Sequence, residues 1–157
     1  MYSALNNPAR RIDELSLAEE NTELKKSILT LLSKSRRKVK LKYVNNKTLE
    51  TIIKYNVKHQ GVLAKSYKLE INNYSSVFNK KYNFRYGVIL DRLTDPNNIG
   101  AIYRSAKAFG INFIININKH TIIENSAILN SACGAFDNIK TFSTNNISNT
   151  IKNFTAE

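Results

Sequence analysis

With 157 residues, the chain has room for one ordinary domain or two small ones, and 42% apolar residues are enough for a core. Twenty-four Lys and Arg against 12 Asp and Glu give a formal charge of +12 and a pI near 9.8, a balance typical of nucleic-acid binders. One cysteine, Cys133, excludes an internal disulfide framework or a Cys-rich zinc site; no apolar run reaches the length of a membrane span, the N-terminus lacks a signal core, and a reduced, cytoplasmic setting is expected.

The basic excess is concentrated early: residues 1–70 carry 15 Lys+Arg and 7 Asp+Glu, whereas residues 71–157 carry 9 and 5. Tyr2-Ser3-Ala4-Leu5 reads as a helix end closed by Asn6-Asn7-Pro8. Ile12 to Leu17 alternates imperfectly, as a strand. Asn21 or Thr22 is placed to cap a helix from Glu23 to about Ser35, with Leu24, Ile28, Leu31 and Leu32 on one face. A basic run follows, Lys34-Ser35-Arg36-Arg37-Lys38. Val39 to Val44 then alternates apolar and basic residues, like a half-exposed strand. Arg36, Arg37, Lys38 and Lys40 are candidate contacts to nucleic-acid phosphates. The same residues equally suit a helix C-terminus favoured by cations and a solvated strand face.

Asn45-Asn46 reads as a turn and Thr48 to Tyr55 as a short helix. His59-Gln60-Gly61 leads into a strand at Val62, and nothing around His59 supplies a metal set or a catalytic triad; no metal site is expected. Glu70 to Arg85 has no clear period, and its Asn and Ser pairs mark a linker. The expected organisation is a unit over 1–70, a linker over 71–85 and a second unit over 86–157.

The second unit opens on the clearest pattern. Tyr86 to Leu90 is a short apolar run suited to a strand, ending in Asp91 and a polar loop with Pro96. Asn98 is a candidate N-cap. Ile99, Ile102, Tyr103, Ala106 and Phe109 recur at helical spacing, with Gly110 as the stop. Ile111 to Ile117 is a second strand, so the stretch reads as a βαβ unit in a parallel sheet. Gly100, Arg104 and Lys107 fall beside the apolar stripe, and a glycine early in a helix costs about 1 kcal/mol relative to alanine, which a close backbone approach would explain. Asn118 to His120 reads as a turn, Glu124 to Ala132 as a helix, Ile139 to Phe142 as a strand and Thr144 to Phe154 as a last helix.

Asp95-Pro96-Asn97-Asn98-Ile99-Gly100-Ala101, Arg104-Ser105-Ala106 and Phe109-Gly110 together resemble the first motif of the SpoU/TrmH family of RNA ribose 2′-O-methyltransferases, within the SPOUT class. The resemblance implies that Asn98 and Arg104 belong to an active site, that S-adenosylmethionine is the methyl donor, and that ribosomal or transfer RNA is the substrate, with a guanosine ribose the commoner target. It also implies a homodimer. Arginine holds phosphate through its planar fork but stays protonated, so any role in activating a hydroxyl needs help from the substrate. His59-Gln60-Gly61-Val62 and Ala4 to Arg10 are similar to the end and the opening of the family's small ribosomal-protein-like domain, which grips RNA; this adds His59 and Gln60 to the candidate RNA contacts. The family's Gly-x-His-x-Val lead-in is absent. Ser131 to Ala135 resembles the family's small-residue segment, with Cys133 as a packing residue.

In the family, a Gly-x-Glu-x-x-Gly motif and a Ser-Leu-Asn-Val-Ser core thread into a trefoil knot that holds the methyl donor and much of the dimer interface. Neither occurs in these 157 residues. The expected fold is therefore α/β: a small ribosomal-protein-like α/β domain, then the N-terminal part of a parallel-sheet SPOUT domain without its knot. No cofactor-binding residue is expected in the chain, which by itself would be a truncated, inactive form. Two other readings stand beside this one: a non-catalytic RNA-binding module, and one half of a split methyltransferase.

Overall fold

The computed structural model describes residues 1–35, 37–53, 59–79, 82–117 and 124–155. They form two compact units, Met1–Leu69 and Glu70–Glu157.

The first unit contains α1 (Tyr2–Asn6), β1 (Ile12–Ala18), α2 (Thr22–Ser35), β2 (Lys40–Val44), α3 (Asn46–Ile52) and β3 (Val62–Ser66). Asparagines set both longer helix starts. The Asn21 side-chain oxygen accepts from the Leu24 amide at 3.0 Å, and that of Asn45 from the Thr48 amide at 2.8 Å, each satisfying a donor the helix cannot. The sheet order is β2-β1-β3, with β1 parallel to β2 and antiparallel to β3. Leu15 and Leu17 of β1 join Leu5, Ile28 and Leu32 in one core. Each such side chain contributes roughly 1.5–3 kcal/mol on burial. The helix expected to reach Tyr55 ends at Ile52, and Tyr55 itself lies outside the described residues.

The second unit contains β4 (Asn72–Asn73), β5 (Gly87–Leu90), α4 (Pro96–Ala108), β6 (Phe113–Ile117), α5 (Ser126–Ser131), β7 (Lys140–Thr144) and α6 (Ile147–Thr155). Its sheet runs β4-β7-β6-β5, and every pairing is parallel. This is the α/β class with a parallel sheet that the sequence pattern implies. Alternation along β6 sends Phe113 and Ile115 to one face, where they pack with Val77 and Phe142. Ile114 and Asn116 take the other. The α4 helix closes at Phe109, and Gly110 turns the chain with φ +72°, a conformation that suits glycine.

The described residues of the 71–85 stretch carry structure of their own. Asn72–Asn73 pair with β7, Tyr74–Phe78 form a 3₁₀ turn, and Val77 is buried. Tyr82 and Phe84 stack with ring centroids 4.7 Å apart over the same core. A two-residue strand and one 3₁₀ turn leave no period to read, which is why the stretch looks structureless in sequence. The turn expected at Asn118 to His120 lies outside the described residues.

Candidate active site

The carboxyl end of β5 runs into an exposed loop. Asp91 and Arg92 are weakly paired there, Nε to Oδ1 at 3.6 Å, and Arg92 takes φ +53°. Asp95 then starts α4. Its carboxylate oxygens accept from the backbone amides of Asn97 at 3.3 Å and Asn98 at 3.0 Å. The N-cap is thus Asp95, not Asn98. The reason is Pro96, which has no N–H to satisfy and a φ already suited to the first helical position. A carboxylate at this end also complements the helix dipole. Replacing Asp95 with Ala is expected to cost about 1 kcal/mol in urea unfolding.

From that cap, α4 buries Ile99, Gly100, Tyr103 and Ala106 and exposes Asn98 and Arg104. These two candidates are six positions apart, so they project about 120° apart around the helix, one on each side of the buried stripe. Asn97 lies within about 20° of Arg104 in azimuth. Long helical side chains lean towards the helix N-terminus, which directs Arg104 back along the Gly100 turn towards the 91–95 loop. Arg104 has no ion-pair partner among the described residues.

Two contacts hold the helix that presents Arg104. Gly100 sits against α5: a β-carbon there would lie 2.0 Å from Ser131 Oγ, 2.7 Å from the Ile128 carbonyl oxygen and 2.9 Å from the Ala132 nitrogen. Tyr103, fully buried, places its hydroxyl 2.8 Å from Thr141 Oγ1 on β7. Burial pushes the Tyr103 phenol's pKa up, while Thr141 and Asn116 pull the other way. The buried Asn116 amide faces that phenol, although neither its Nδ2 nor its Oδ1 reaches full hydrogen-bonding geometry with a described residue. Both contacts join residues far apart in sequence, and neither shows in the local pattern.

Chemically, this edge offers a permanent guanidinium and exposed amides, groups that hold a phosphate or a hydroxyl. It does not enclose a methyl donor. Asp91, Arg92 and Thr94 are exposed, and the Thr144 hydroxyl at the end of β7 is already shared with the Asn146 amide at 3.1 Å and Thr150 Oγ1 at 2.7 Å. These four residues by themselves therefore do not wall in a ligand of the size of S-adenosylmethionine.

The candidate RNA contacts in the first unit separate in space. Arg36 lies outside the described residues. Arg37 is half-buried; its Nη1 donates to the Arg10 carbonyl at 2.9 Å and its Nη2 to the Asn7 carbonyl. It ties the α1–β1 connection together rather than standing free for a ligand. Lys38 and Lys40 are exposed beside the start of β2. His59 and Gln60 lie at the opposite end of the sheet, where the Gly61 carbonyl accepts from the Ala18 amide that ends β1. His59 Nδ1 accepts from the Gly61 amide at 3.1 Å, and Gln60 takes φ +48°. That turn is shaped by its own hydrogen bonds.

Comparison with known proteins agrees with this architecture. The SpoU rRNA Methylase family matches residues 85–157, and the RNA 2′-O ribose methyltransferase substrate-binding family matches residues 1–71. A Borreliella burgdorferi protein described as an uncharacterized tRNA/rRNA methyltransferase is 35% identical over 124 residues, covering 72% of this chain and 53% of that protein. The Coxiella burnetii 23S rRNA (guanosine-2′-O-)-methyltransferase RlmB is 33% identical over 99 residues, covering 61% and 40%. The SpoU methyltransferase AviRb from Streptomyces viridochromogenes, solved with AdoMet, superposes with a TM-score of 0.71 at 17% identity, over 96% of this chain and 54% of that one. The chain thus spans about half the length of the proteins it matches. With the first motif on α4, both family matches and the shared parallel-sheet fold, the chain belongs to the SpoU/TrmH family of RNA methyltransferases.

Proposed function

We propose that residues 1–157 are the RNA-holding and acceptor-side part of an S-adenosylmethionine-dependent RNA 2′-O-ribose methyltransferase. Ribosomal RNA is the substrate, and a guanosine ribose the target. The observation that carries this reading is the exposed Arg104, without an ion-pair partner among the described residues, on a helix anchored by Gly100 and Tyr103 beside the carboxyl end of β5. Open α/β sheets bind ligands at that end.

In this reading Arg104 grips the phosphate next to the target ribose and keeps the 2′-hydroxyl in place. Fixing that oxygen turns a random encounter into a positioned one, where much of the rate enhancement of a transfer reaction arises. Asn98 orders the loop side of the site by hydrogen bonds. The donor supplies an electrophilic methyl group, and the residues that hold it belong to the family's second and third motifs. The assembled enzyme works as a homodimer in a reducing, cytoplasmic setting.

The division of labour is testable directly. Isothermal titration of residues 1–157 with S-adenosylmethionine should show no measurable binding, while the same polypeptide retains RNA with an affinity that falls steeply with salt. Saturable binding of the donor by these residues alone would overturn it.

A further inference from the structure

The sheet of the first unit carries a cationic face that the family motifs do not single out. Successive residues of a strand point to opposite faces, and directly paired residues on neighbouring strands share a face. Glu14 of β1 is paired with Lys40 of β2 and with Lys65 of β3. Lys42 follows Lys40 two residues on. The three lysines therefore stand on one side of the sheet, opposite the face on which Leu15 and Leu17 are buried.

All three are exposed, and the Lys40 and Lys42 side chains keep 70% and 49% of their accessible surface. Glu14 is set between them. Its Oε1 lies 2.9 Å from Lys42 Nζ and its Oε2 3.8 Å from Lys40 Nζ. Lys65 has no ion-pair partner among the described residues. One carboxylate against three ammonium groups leaves a surplus of positive charge and holds two lysines side by side. Lys40 and Lys42 start about 6.6 Å apart along their strand, and Lys65 about 9.6 Å across the sheet from Lys40.

The far end of the same sheet is electrostatically different. The open groove of about 840 Å³ lined by His59 and Gln60 also holds Glu20, Glu23 and Glu50. Among the described lining residues the formal charges are three carboxylates, which oppose a polyphosphate chain.

We propose that the RNA backbone docks on the Lys40, Lys42 and Lys65 face of the three-stranded sheet, and that the His59-Gln60 turn contributes little to phosphate binding. The proposal rests on the RNA-binding reading above and specifies where on the first unit the phosphates lie. Lys42 shares the Lys40 face by the alternation already visible along the strand, whereas Lys65 joins the row only through strand register.

Fluorescence anisotropy with a fluorescein-labelled 20-nucleotide RNA hairpin tests it on the full chain. Lys40→Gln, Lys42→Gln and Lys65→Gln combined should weaken binding at least about tenfold near 0.1 M salt and lower the slope of log K against log salt by about 2 to 3. Glu14→Gln, which removes the counter-charge, should tighten binding by about threefold, a gain that misfolding cannot produce. His59→Ala with Gln60→Ala should stay within about twofold of wild type. Unchanged affinity and slope in the triple variant, or a loss carried by His59 and Gln60 instead, would overturn the assignment while leaving RNA binding intact. Absence of any salt-dependent RNA binding by wild type would sink both readings. Displacement of the RNA by poly-glutamate at equal charge concentration would assign the face to an acidic protein segment instead.

Discussion

Gly100→Ala should destabilise the second unit by about 1–3 kcal/mol, the usual range for forcing extra atoms into a packed contact. Intrinsic propensity alone gives the opposite sign, since alanine is favoured over glycine inside a helix by about 1 kcal/mol. The contact decides between them. The new β-carbon would meet Ser131 Oγ at 2.0 Å, a side-chain atom that donates to the Ala127 carbonyl at 2.7 Å and could turn about one bond at the expense of that hydrogen bond. The other two neighbours are backbone atoms of Ile128 and Ala132, at 2.7 and 2.9 Å. They yield only if α5 moves bodily away from α4. Urea unfolding followed by circular dichroism reads the effect. Adding Ser131→Gly to Gly100→Ala should recover only part of the loss, because the backbone clashes remain. A Gly100→Ala protein as stable as wild type, or more so, would show that the helices separate freely, and the glycine would then need a reason other than packing.

The same glycine marks how far the sequence can be read. Its cost within a helix is visible locally and suggests a close approach, but the partner lies in α5, some thirty residues on. Periodicity exposes elements that bury one face over several turns. For that reason α2 and α4 and the strands around them can be located from spacing alone. It fails where an element is too short to repeat. Asn72–Asn73 make a strand only because β7 offers them partners, and Val77, Tyr82 and Phe84 pack without any period.

Choices between chemically similar residues are also local but subtle. Asp95 and Asn98 can both cap a helix, and Pro96 decides in favour of the first. The candidate RNA contacts divide for another reason. Lys38, Lys40, His59 and Gln60 are all polar and close in sequence to strands, yet β1 lies between the two pairs, with its start near one and its end near the other. Arg37 is diverted by carbonyls of Asn7 and Arg10, thirty and twenty-seven residues away. Type and spacing identify which residues are chemically capable; register and long-range hydrogen bonds determine which of them are free to act.

Arg104 is one that remains free, and that freedom separates stability from function. Arg104→Ala should leave unfolding within about 0.5 kcal/mol of wild type, as expected for an exposed residue away from caps and cores. In protein that carries these residues together with the family's second and third motifs, the same change should lower methyl transfer to ribosomal RNA by about a hundredfold to a thousandfold, the range seen when one preorganised electrostatic donor is removed. Arg104→Lys keeps the charge and loses the planar two-pronged geometry. If the fork holds the ribose-phosphate, lysine should restore only a small fraction of the lost kcat, with KM for RNA nearly unchanged because the lysine-rich sheet face still supplies the phosphate attraction. Recovery of full activity by lysine would reduce Arg104 to a point charge. Full activity of Arg104→Ala would remove it from the site altogether, leaving the anchoring of α4 by Gly100 and Tyr103 with no catalytic consequence. Loss of folding in Arg104→Ala would mean that the guanidinium is held by the protein and not by a substrate, contrary to its exposed setting on α4.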